Sequence, residues 1–491
     1  MRPRATGVPA LRVRPANEEG VRPDGAYVLY WMTAYRRTSW SFALQRAAGW
    51  ARELGRPLLV LEALRCDYPH ASDRLHRFVL DGMEENREGF GRAGVSYHPY
   101  VEPVPGAGKG LLETMARRAC AVVTDDSPAF FLPRVVDAAA SRLPVLLEAV
   151  DSNGLLPLRA ADRAFARAFD FRRFLQRTLL EHLTLPETEP LAGLPGRAEV
   201  PRAVAERWPG APAALLRRGT DLRDLPIDHA VPPGLSPGGE RPARELLRAF
   251  LRDRLDRYGE DRNHPDRDAT SGLSPYLHFG HVSAHEVFAA VMAREGWSED
   301  LLAPKATGKR TGWWGVGASA EAFLDQLVTW RELGFNGCAL GPAWDRYESL
   351  PPWARATLER HAADPRPYRY SREELEAAAT HDPLWNAAQT QLLREGRLHN
   401  YLRMLWGKKI LEWSPGPREA LATLRELNDR YAVDGRDPNS LTGITWCLGR
   451  YDRAWGPERP VFGTVRYMSS ENTGRKVEVQ DYRERYAPPQ R

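Results

Sequence analysis

The sequence has few cysteines and no long apolar segment. Among its 491 residues there are four cysteines, spaced too widely for a zinc site or a secreted disulfide framework. The most apolar run, Pro57 to Leu64, is too short to cross a bilayer, and residues 1–24 lack the apolar core of a signal peptide. These absences predict a protein that binds no metal and is neither secreted nor embedded in a membrane, so we expect it in the cytoplasm.

Composition restricts the function only weakly. Apolar residues make up 43% of the chain and charged residues 27%, which is ordinary for a chain that folds around two or three cores. The net charge of +5 tolerates a polyanionic partner without requiring one. No internal repeat or low-complexity tract is present, so the chain is read as a series of globular segments.

Hydrophobic periodicity divides the chain into four parts. Residues 25–160 alternate helical periods with short apolar strands, among them AYVLYWM, PLLVLEAL, CAVVTDD and LPVLLEAV. This alternation predicts an α/β domain with a doubly wound parallel sheet, preceded by a disordered tail over residues 1–24. Residues 161–239 are rich in proline and predict a linker with some helix. Residues 240–485 have helical periods almost throughout and predict an all-α domain.

The segment TSGLSPYLHFG, residues 270–280, is typical of the start of a helix. Ser274 is the expected N-cap and Pro275 the first helical residue. Free backbone N–H groups beside Gly272 suit a phosphate group. An ordinary capped helix is the alternative explanation, and for this segment alone it is the commoner one.

Two sets of polar and aromatic residues have the chemistry to contact nucleotide bases. Gln326 and Trp330 are four residues apart, so a helix places them on one face, where they can bond to and stack on a planar ring. Trp446, Arg453 and Trp455 are of the types that stack on bases and hold phosphates. The alternative for both sets is core packing beside solvated polar groups.

Three tryptophans occur in two adjacent predicted helices. Trp406 and Trp413 are seven residues apart and share a helix face, and Trp385 in the preceding helix can meet that face. Filling of the core is the usual role of a single tryptophan. Three indoles in a row beside a cofactor form a path for electrons.

The segment DGRDPN, residues 434–439, predicts a turn followed by a new helix. Asn439 is the expected N-cap of that helix. Asp434, Arg436 and Asp437 add charges that a turn alone does not require.

Six motifs in order make residues 240–485 resemble the class II DNA photolyases of the photolyase/cryptochrome superfamily: SGLSPYLHFGHVSA, THDPLWNAAQ, RMLWGKKILEW, LNDRY, DGRDPN and PERPVFGTVRYM. The N-terminal part is similar mainly through VLYWM, VVTDDSP and VDSNGLLPL. The resemblance implies an antenna-type α/β domain and a helical FAD-binding domain. It also implies light-driven electron transfer from reduced FAD to a pyrimidine dimer flipped out of double-stranded DNA. We expect a monomer that associates with the nucleoid when bound to DNA.

The resemblance also implies roles for single residues. The phosphates and ribityl chain of FAD would be held by Tyr258, Ser271, Leu273 and Ser274, and the flavin ring would adjoin Arg331 and Asp434. Asn428 would lie near flavin N5, with Asn439 as the alternative. The electron relay would consist of Trp385, Trp406 and Trp413. The dimer would be contacted by Gln326, Trp330 and Trp446, and Arg453 with Trp455 would fill the gap that the flipped bases leave.

Two departures from the family pattern leave alternatives open. Gln326 stands in Asp325-Gln326-Leu327 where the family has a second Glu, and an amide can accept or donate a hydrogen bond but cannot donate a carboxyl proton. A cryptochrome-type photoreceptor without repair activity is one alternative. Repair of the (6-4) photoproduct is the other, but that chemistry relies on histidines, and the sequence does not place His278 or His281 in such a role. The segment TAYRRTSWSF also departs from the family, so no antenna chromophore is assigned.

Overall fold

A computed structural model describes residues 7–488, which divide into two compact units. Among the described residues, the first unit consists of 7–162, Thr178–Leu247 and Leu273–Ala290, and the second of Arg163–Arg177, Arg248–Gly272 and 291–488. Within residues 7–488, no helix is both long enough and apolar enough to cross a membrane.

The first unit contains a six-stranded sheet. Its strands are β1 (Val13–Pro15), β2 (Tyr27–Met32), β3 (Leu58–Leu64), β4 (Ser96–Val101), β5 (Ala119–Asp125) and β6 (Leu147–Val150). Their order is β1-β6-β5-β2-β3-β4, with β1 antiparallel and every other pair parallel. The chain adds strands on one side of β2 and then on the other, which is the doubly wound arrangement that the sequence predicts.

Both faces of this sheet are covered by apolar cores. Tyr27, Leu29 and Trp31 belong to one core, whereas Val28, Tyr30 and Met32 belong to the other. This division follows from the two-residue period of a strand. Because both faces are buried, β2 consists almost wholly of apolar residues, which explains why the sequence shows a continuous apolar run rather than an alternating one.

The N-terminal segment needs a correction. Residues 1–24 were predicted to be a disordered tail, but Ala10–Arg12 forms a 3-10 turn and Val13–Pro15 is the edge strand β1. Arg12 explains this order, because it is fully buried and its guanidinium lies 3.7 Å from the Asp151 carboxylate and 4.6 Å from the centre of the Phe42 ring. Residues 1–6 of the predicted tail lie outside the described residues.

The α-helices are α1 (Phe42–Leu54), α2 (Asp73–Arg92), α3 (Leu111–Ala116), α4 (Leu132–Ala140), α5 (Ala168–His182), α6 (Arg202–Arg207), α7 (Ala213–Leu216), α8 (Glu240–Asp253), α9 (Tyr258–Asp261), α10 (Ser274–His278), α11 (Ala284–Arg294), α12 (Ala318–Leu324), α13 (Arg331–Leu340), α14 (Pro352–Arg360), α15 (Arg372–Glu376), α16 (Pro383–Glu395), α17 (Asn400–Trp413), α18 (Pro417–Tyr431), α19 (Pro438–Trp446), α20 (Ser470–Lys476) and α21 (Gln480–Arg485). Apart from these helices, residues 240–488 contain turns, 3-10 helices and one π-helical segment, and the predicted fold class of an α/β part followed by a helical part is confirmed.

The two compact units do not divide at residue 240, where the sequence analysis places the start of the helical domain. Leu273–Ala290 belongs to the first unit because Tyr276, Phe279 and His281 all pack against Phe78, with ring centroids 5.1 to 5.4 Å apart. Most of the predicted linker also belongs to this unit. Apolar side chains such as Trp208 are buried there, so this segment adds to the core.

The carboxyl end of β5 lies beside that of β2, where the strand order reverses. Doubly wound sheets bind ligands at this crevice. Here Asp125 Oδ2 accepts hydrogen bonds from the backbone N–H groups of Thr33, Ala34 and Tyr35 at 2.6 to 2.9 Å, and Tyr30 donates to Oδ1 at 2.7 Å. The carboxylate of Asp125 therefore binds the loop that follows β2.

Candidate active site

Gln326 and Trp330 lie on a π-helical segment, Asp325–Trp330, between α12 and α13. The sequence predicts an α-helix here, but the structure has a π-helical turn, in which hydrogen bonds join residue i to residue i+5. Gln326 and Trp330 nevertheless lie on one face of the segment, as predicted. Gln326 and Trp330 are half-buried, whereas the other four residues of the segment are buried. The amide and the indole are therefore the two side chains of this segment that are partly exposed.

Asp325, which precedes Gln326, is bound by an arginine. Arg172 of α5 donates from Nε to Oδ1 at 2.8 Å and from Nη2 to Oδ2 at 3.2 Å, and both side chains are buried. A two-pronged pair of this kind fixes the carboxylate in one orientation. Both carboxylate oxygens of Asp325 are therefore engaged by Arg172.

A cavity of about 470 Å³ lies in the second unit. Its lining includes the predicted base-contacting residues Trp446 and Trp455, together with Tyr401, Met404, Arg459, Val465, Arg466, Tyr467, Asn472 and Lys476. Aromatic faces and cations are thus combined in one pocket. Trp330 does not line the cavity but packs edge-on against Tyr451, with ring centroids 6.4 Å apart.

Two guanidinium groups lie over the Trp455 ring. Arg453 Cζ is 4.2 Å from the ring centre and Arg466 Cζ is 4.0 Å from it. Asp452 joins the group, because it accepts hydrogen bonds from Arg466 at 2.8 Å and from Trp455 Nε1 at 3.1 Å. Burial alone would raise the pKa of Asp452, but these bonds lower it below its ordinary value. Trp455 is therefore held by a charged network that stays ionised.

Lys408 is a residue of this site that the sequence analysis missed. It is fully buried, its Nζ donates to the Cys447 carbonyl at 2.7 Å, and the same atom lies 4.8 Å from the centre of the Trp446 ring. Burial lowers the pKa of this ammonium group to about 8. The signal in the sequence is the pair Lys408-Lys409, which is flanked by apolar residues in RMLWGKKILEW.

The three tryptophans of the predicted relay are all buried in the second unit. Trp385 and Trp413 are in edge-on contact, with ring centroids 5.4 Å apart. Trp385 Nε1 donates to the Trp406 carbonyl at 3.1 Å, and Trp406 Nε1 donates to Gln389 at 2.9 Å. Trp413 also packs against Tyr370, at 5.2 Å. The expected ring-to-ring chain is thus present for one pair, and Trp406 is joined through its backbone.

Some of the predicted flavin neighbours are buried polar residues. Asn428 is 3% exposed and exchanges hydrogen bonds with Ser440, donating at 3.0 Å and accepting at 3.2 Å. Asp434 is 8% exposed and accepts from both terminal nitrogens of Arg403, at 2.8 and 3.3 Å. Arg331 is also buried, with its guanidinium 4.4 Å from the centre of the Phe335 ring.

Asn439 and Ser274 are not the helix caps that the sequence predicts. The N-cap of α19 is Asp437, whose side chain accepts from the Asn439 backbone N–H at 2.8 Å, and the Asn439 side chain is exposed. The prediction failed because Pro438 occupies the first helical position and leaves the capping role to the residue before it. Helix α10 begins one residue earlier than predicted, at Ser274, so Leu273 is its N-cap and makes no side-chain cap.

The remaining cofactor candidates differ in burial. Tyr258 is buried in the second unit, where its ring meets Phe250 and Phe323 edge-on and Arg262 lies 5.5 Å from its centre. Ser271 is half-buried in that unit, whereas Leu273, buried, and Ser274, exposed, belong to the first. Their roles stay predictions. Among residues 7–488, no group of three or more His, Cys, Asp or Glu side chains is arranged to hold a metal ion.

Curated proteins similar to this chain share one name. A deoxyribodipyrimidine photo-lyase of Methanothermobacter thermautotrophicus is 35% identical over 481 residues, covering 97% of this chain and 98% of its own. One from Oryza sativa is 37% identical, covering 96% and 89%, and one from Potorous tridactylus is 33% identical, covering 94% and 81%. The chain belongs to the deoxyribodipyrimidine photolyase family. No protein-family model matches it.

Solved structures of photolyases and cryptochromes have the same fold as this photolyase-family chain. A bacterial class III photolyase from Agrobacterium tumefaciens aligns with a TM-score of 0.64 at 17% identity, covering 94% of this chain and 86% of that structure. A cryptochrome from Synechocystis aligns with a TM-score of 0.68 at 14% identity, covering 94% and 88%. The fold is therefore that of the photolyases and cryptochromes.

Proposed function

We propose that this chain is a light-dependent DNA-repair enzyme that splits cyclobutane pyrimidine dimers in double-stranded DNA. The observation that carries the proposal is the cavity lined by Trp446 and Trp455, which also contains Arg466. Indole faces stack on bases, and guanidinium groups bind phosphates. A flipped-out dimer offers both, since its two uncharged bases are flanked by backbone phosphates.

The buried polar residues of the second unit fit a flavin. Asn428, Asp434 and Arg331 are each less than a tenth exposed, and Asn428 and Asp434 are held in place by hydrogen bonds with Ser440 and Arg403. In the proposal these residues border the flavin ring, and Tyr258, Ser271, Leu273 and Ser274 hold the rest of FAD. Reduced FAD, once bound and excited by blue light, supplies an electron to the dimer. No antenna chromophore is assigned.

The protein side chains position the dimer. Trp446 offers an indole face to one side of the dimer, and the ammonium group of Lys408 fixes that indole from within the core. Gln326 donates its amide N–H to a base carbonyl, and Trp330 contacts the dimer from the same π-helical segment. Two carbon–carbon bonds of the cyclobutane ring break in the proposed reaction. There is no net oxidation or reduction, because the dimer gives back the electron that it received.

The second candidate function is a cryptochrome-type photoreceptor without repair activity. The half-buried Gln326 favours it, because this chain has an amide where the family has a carboxyl group. Repair of the (6-4) photoproduct has less support. His281 is buried, its Nδ1 accepts from the Gly239 N–H at 2.9 Å, and burial lowers its pKa to about 3, so its ring is neutral and donates no proton at ordinary pH.

A repair assay separates these functions. The photoreduced protein is illuminated with a duplex carrying one cyclobutane thymine dimer, and the restored thymines are measured, with a dark sample as the control. We expect repair that depends on light. If flavin photoreduction is normal but no thymine is restored, the proposal is overturned, and a (6-4) substrate and a test of light-dependent partner binding then distinguish the two alternatives.

A further inference from the structure

Helix α17 carries two consecutive buried lysines with different partners. Lys409 Nζ lies 2.9 Å from the Glu412 carboxylate and 3.9 Å from that of Asp382. Lys408 is fully buried, and among residues 7–488 it has no carboxylate partner, its one hydrogen bond there being the one to the Cys447 carbonyl at 2.7 Å. A buried ammonium group without a carboxylate is costly, so another group must compensate for its charge.

Close packing places Lys408 beside Cys447, which directly follows α19. A Cβ atom on Gly407 would lie 2.4 Å from the Cys447 Sγ, so a larger residue at position 407 would force the two segments apart. This close approach brings Lys408 Nζ to the Cys447 carbonyl, and Trp446 is the residue just before it. The buried lysine is therefore fixed beside a residue that lines the cavity.

The Trp446 indole compensates for the charge of Lys408. The Nζ atom lies 4.8 Å from the centre of the ring. An indole attracts a cation to its face, and this attraction is strongest where water is excluded. Trp446 is half-buried and lines the cavity. The ring is thus held from the core by a buried cation while part of it is open to the cavity.

The charged and titratable groups that face Lys408 leave it as the one that changes charge near pH 8. Burial lowers the pKa of Lys408 to about 8, and Arg466 lowers it further while Asp452 raises it. The pKa of Asp452 lies below its ordinary value despite burial, because Asp452 accepts from Arg466. Burial raises the pKa of the Cys447 thiol to about 11, and it also raises the pKa of Tyr401, which lines the cavity.

A neutral Lys408 would hold the indole less firmly. Deprotonation removes the charge that the ring attracts, whereas the contact with the Cys447 carbonyl can remain. A ligand that stacks on the ring must then supply the ordering that the cation supplied before, and this lowers its affinity. The affinity of the cavity for a stacked ligand should therefore be higher when Lys408 is charged.

We propose that Lys408 is a positioning residue for lesion recognition: its ammonium group holds the Trp446 indole, so that the cavity binds a pyrimidine dimer more tightly when Lys408 is charged than when it is neutral. This inference rests on the proposed function, since it takes the dimer as the ligand of the cavity. Lys408 contacts the indole and not the dimer, so it acts through Trp446.

The test measures the affinity of the full chain for two duplexes at pH 7 and at pH 9. One duplex carries a single cyclobutane thymine dimer and the other is the same duplex without damage, and the salt concentration is fixed because phosphate contacts depend on it. The ratio of the two affinities cancels effects of pH on phosphate binding. For the wild type this ratio should fall by roughly 3- to 10-fold between pH 7 and pH 9. An unchanged ratio would overturn the inference.

Two variants of Lys408 assign the effect to its charge. Lys408→Met keeps an unbranched side chain without a charge, so its affinity ratio should be low and equal at the two pH values. Lys408→Arg keeps a cation at both pH values, since a guanidinium group stays protonated, so its ratio should also be independent of pH but higher than that of Lys408→Met. A fall as large as that of the wild type in either variant would assign the pH dependence to another group and overturn the inference.

The matched control is Lys409→Met, which removes the same charge from the adjacent position of α17. Lys409 Nζ lies 5.4 Å from the centre of the Trp413 ring, and Trp413 does not line the cavity. This variant should keep the wild-type fall between pH 7 and pH 9, and loss of the fall here as well would contradict a specific role of Lys408. Circular dichroism at both pH values checks the fold of each protein. If Lys408→Met does not fold, the wild type and Lys408→Arg still decide the outcome.

The outcome is separable from that of the proposed function. If the wild type prefers and repairs the damaged duplex but the affinity ratio is the same at pH 7 and pH 9, only the role of Lys408 is overturned. If the ratio falls with pH but no thymine is restored, the role of Lys408 in lesion recognition stands and the repair proposal fails. If the wild type binds both duplexes equally at pH 7, both are overturned.

Discussion

Gln326 is the residue at which the two candidate functions diverge. Its neighbour Asp325 is bound to Arg172, so the amide acts without help from that carboxylate. In the proposed function the amide hydrogen-bonds a base, but it cannot donate a carboxyl proton.

Changing Gln326 tests what the amide contributes. Gln326→Leu should weaken binding of a dimer-containing duplex about fivefold, because the loss of one hydrogen bond costs about 1 kcal/mol. Gln326→Glu should keep binding and increase the yield of repaired thymines per absorbed photon. Binding is measured by titration and repair by thymine release. An unchanged affinity in Gln326→Leu would show that the amide does not contact the dimer.

His281 should make the stability of the first unit depend on pH. Its pKa is about 3 in the folded protein because the ring is buried near Arg36 and Arg37, compared with an ordinary value of 6.5. Between these values the unfolded chain binds one more proton than the folded chain. The free energy of unfolding should therefore fall as the pH falls from about 6.5 towards 3, by up to about 1.4 kcal/mol per pH unit.

His281→Asn tests this assignment. The asparagine carbonyl can accept from the Gly239 N–H in place of Nδ1, and it does not titrate. Urea unfolding at pH 7 and pH 5 should show a smaller difference in the variant than in the wild type. The same pH dependence in both proteins would assign the effect to other groups.

At the scale of elements, the π-helical segment depends on a partner from α5. Arg172 and Asp325 are both buried, and removing one member of such a pair leaves an uncompensated charge. Arg172→Met should lower the free energy of unfolding by about 3 to 5 kcal/mol. Arg173→Met, one residue away on the exposed face, should change it by no more than about 0.5 kcal/mol. Equal effects on urea unfolding would contradict the role of the pair.

The two helices α16 and α17 hold the candidate relay. Trp385 contacts the Trp413 ring and bonds to the Trp406 carbonyl, so it is the indole that connects the other two. Trp385→Phe should slow the light-driven loss of oxidised-flavin absorbance at least tenfold, while Trp297→Phe, outside these helices, should not. The rate is followed by absorption under blue light with an external reductant. An unchanged rate would remove Trp385 from the path.

Helical period was enough to predict the helices that hold Trp385, Trp406 and Trp413. It was not enough for the π-helical segment, since the extra residue in that turn depends on tertiary contacts such as the Arg172–Asp325 pair. The position of a helix cap also depends on competition between neighbouring polar side chains for the free backbone N–H groups. Asp437 rather than Asn439 is the N-cap of α19, whose first residue is Pro438.

On the scale of the whole molecule, the order of strands and helices follows from the sequence, but the division into compact units does not. Contacts such as that between Phe78 and Tyr276 join residues nearly two hundred positions apart, and no local pattern predicts them. The short strand β1 was missed for the same reason. It forms because Arg12 pairs with Asp151, which is distant in the sequence, and not because its own three residues favour a strand.

The Asp125 carboxylate has a consequence for any chromophore of the first unit. It occupies the N–H groups of Thr33, Ala34 and Tyr35 at the crevice where doubly wound sheets usually receive a phosphate. A tethered group acts as an internal competitor at a very high effective concentration. A chromophore that binds there through a phosphate group would first have to displace the Asp125 carboxylate from these N–H groups.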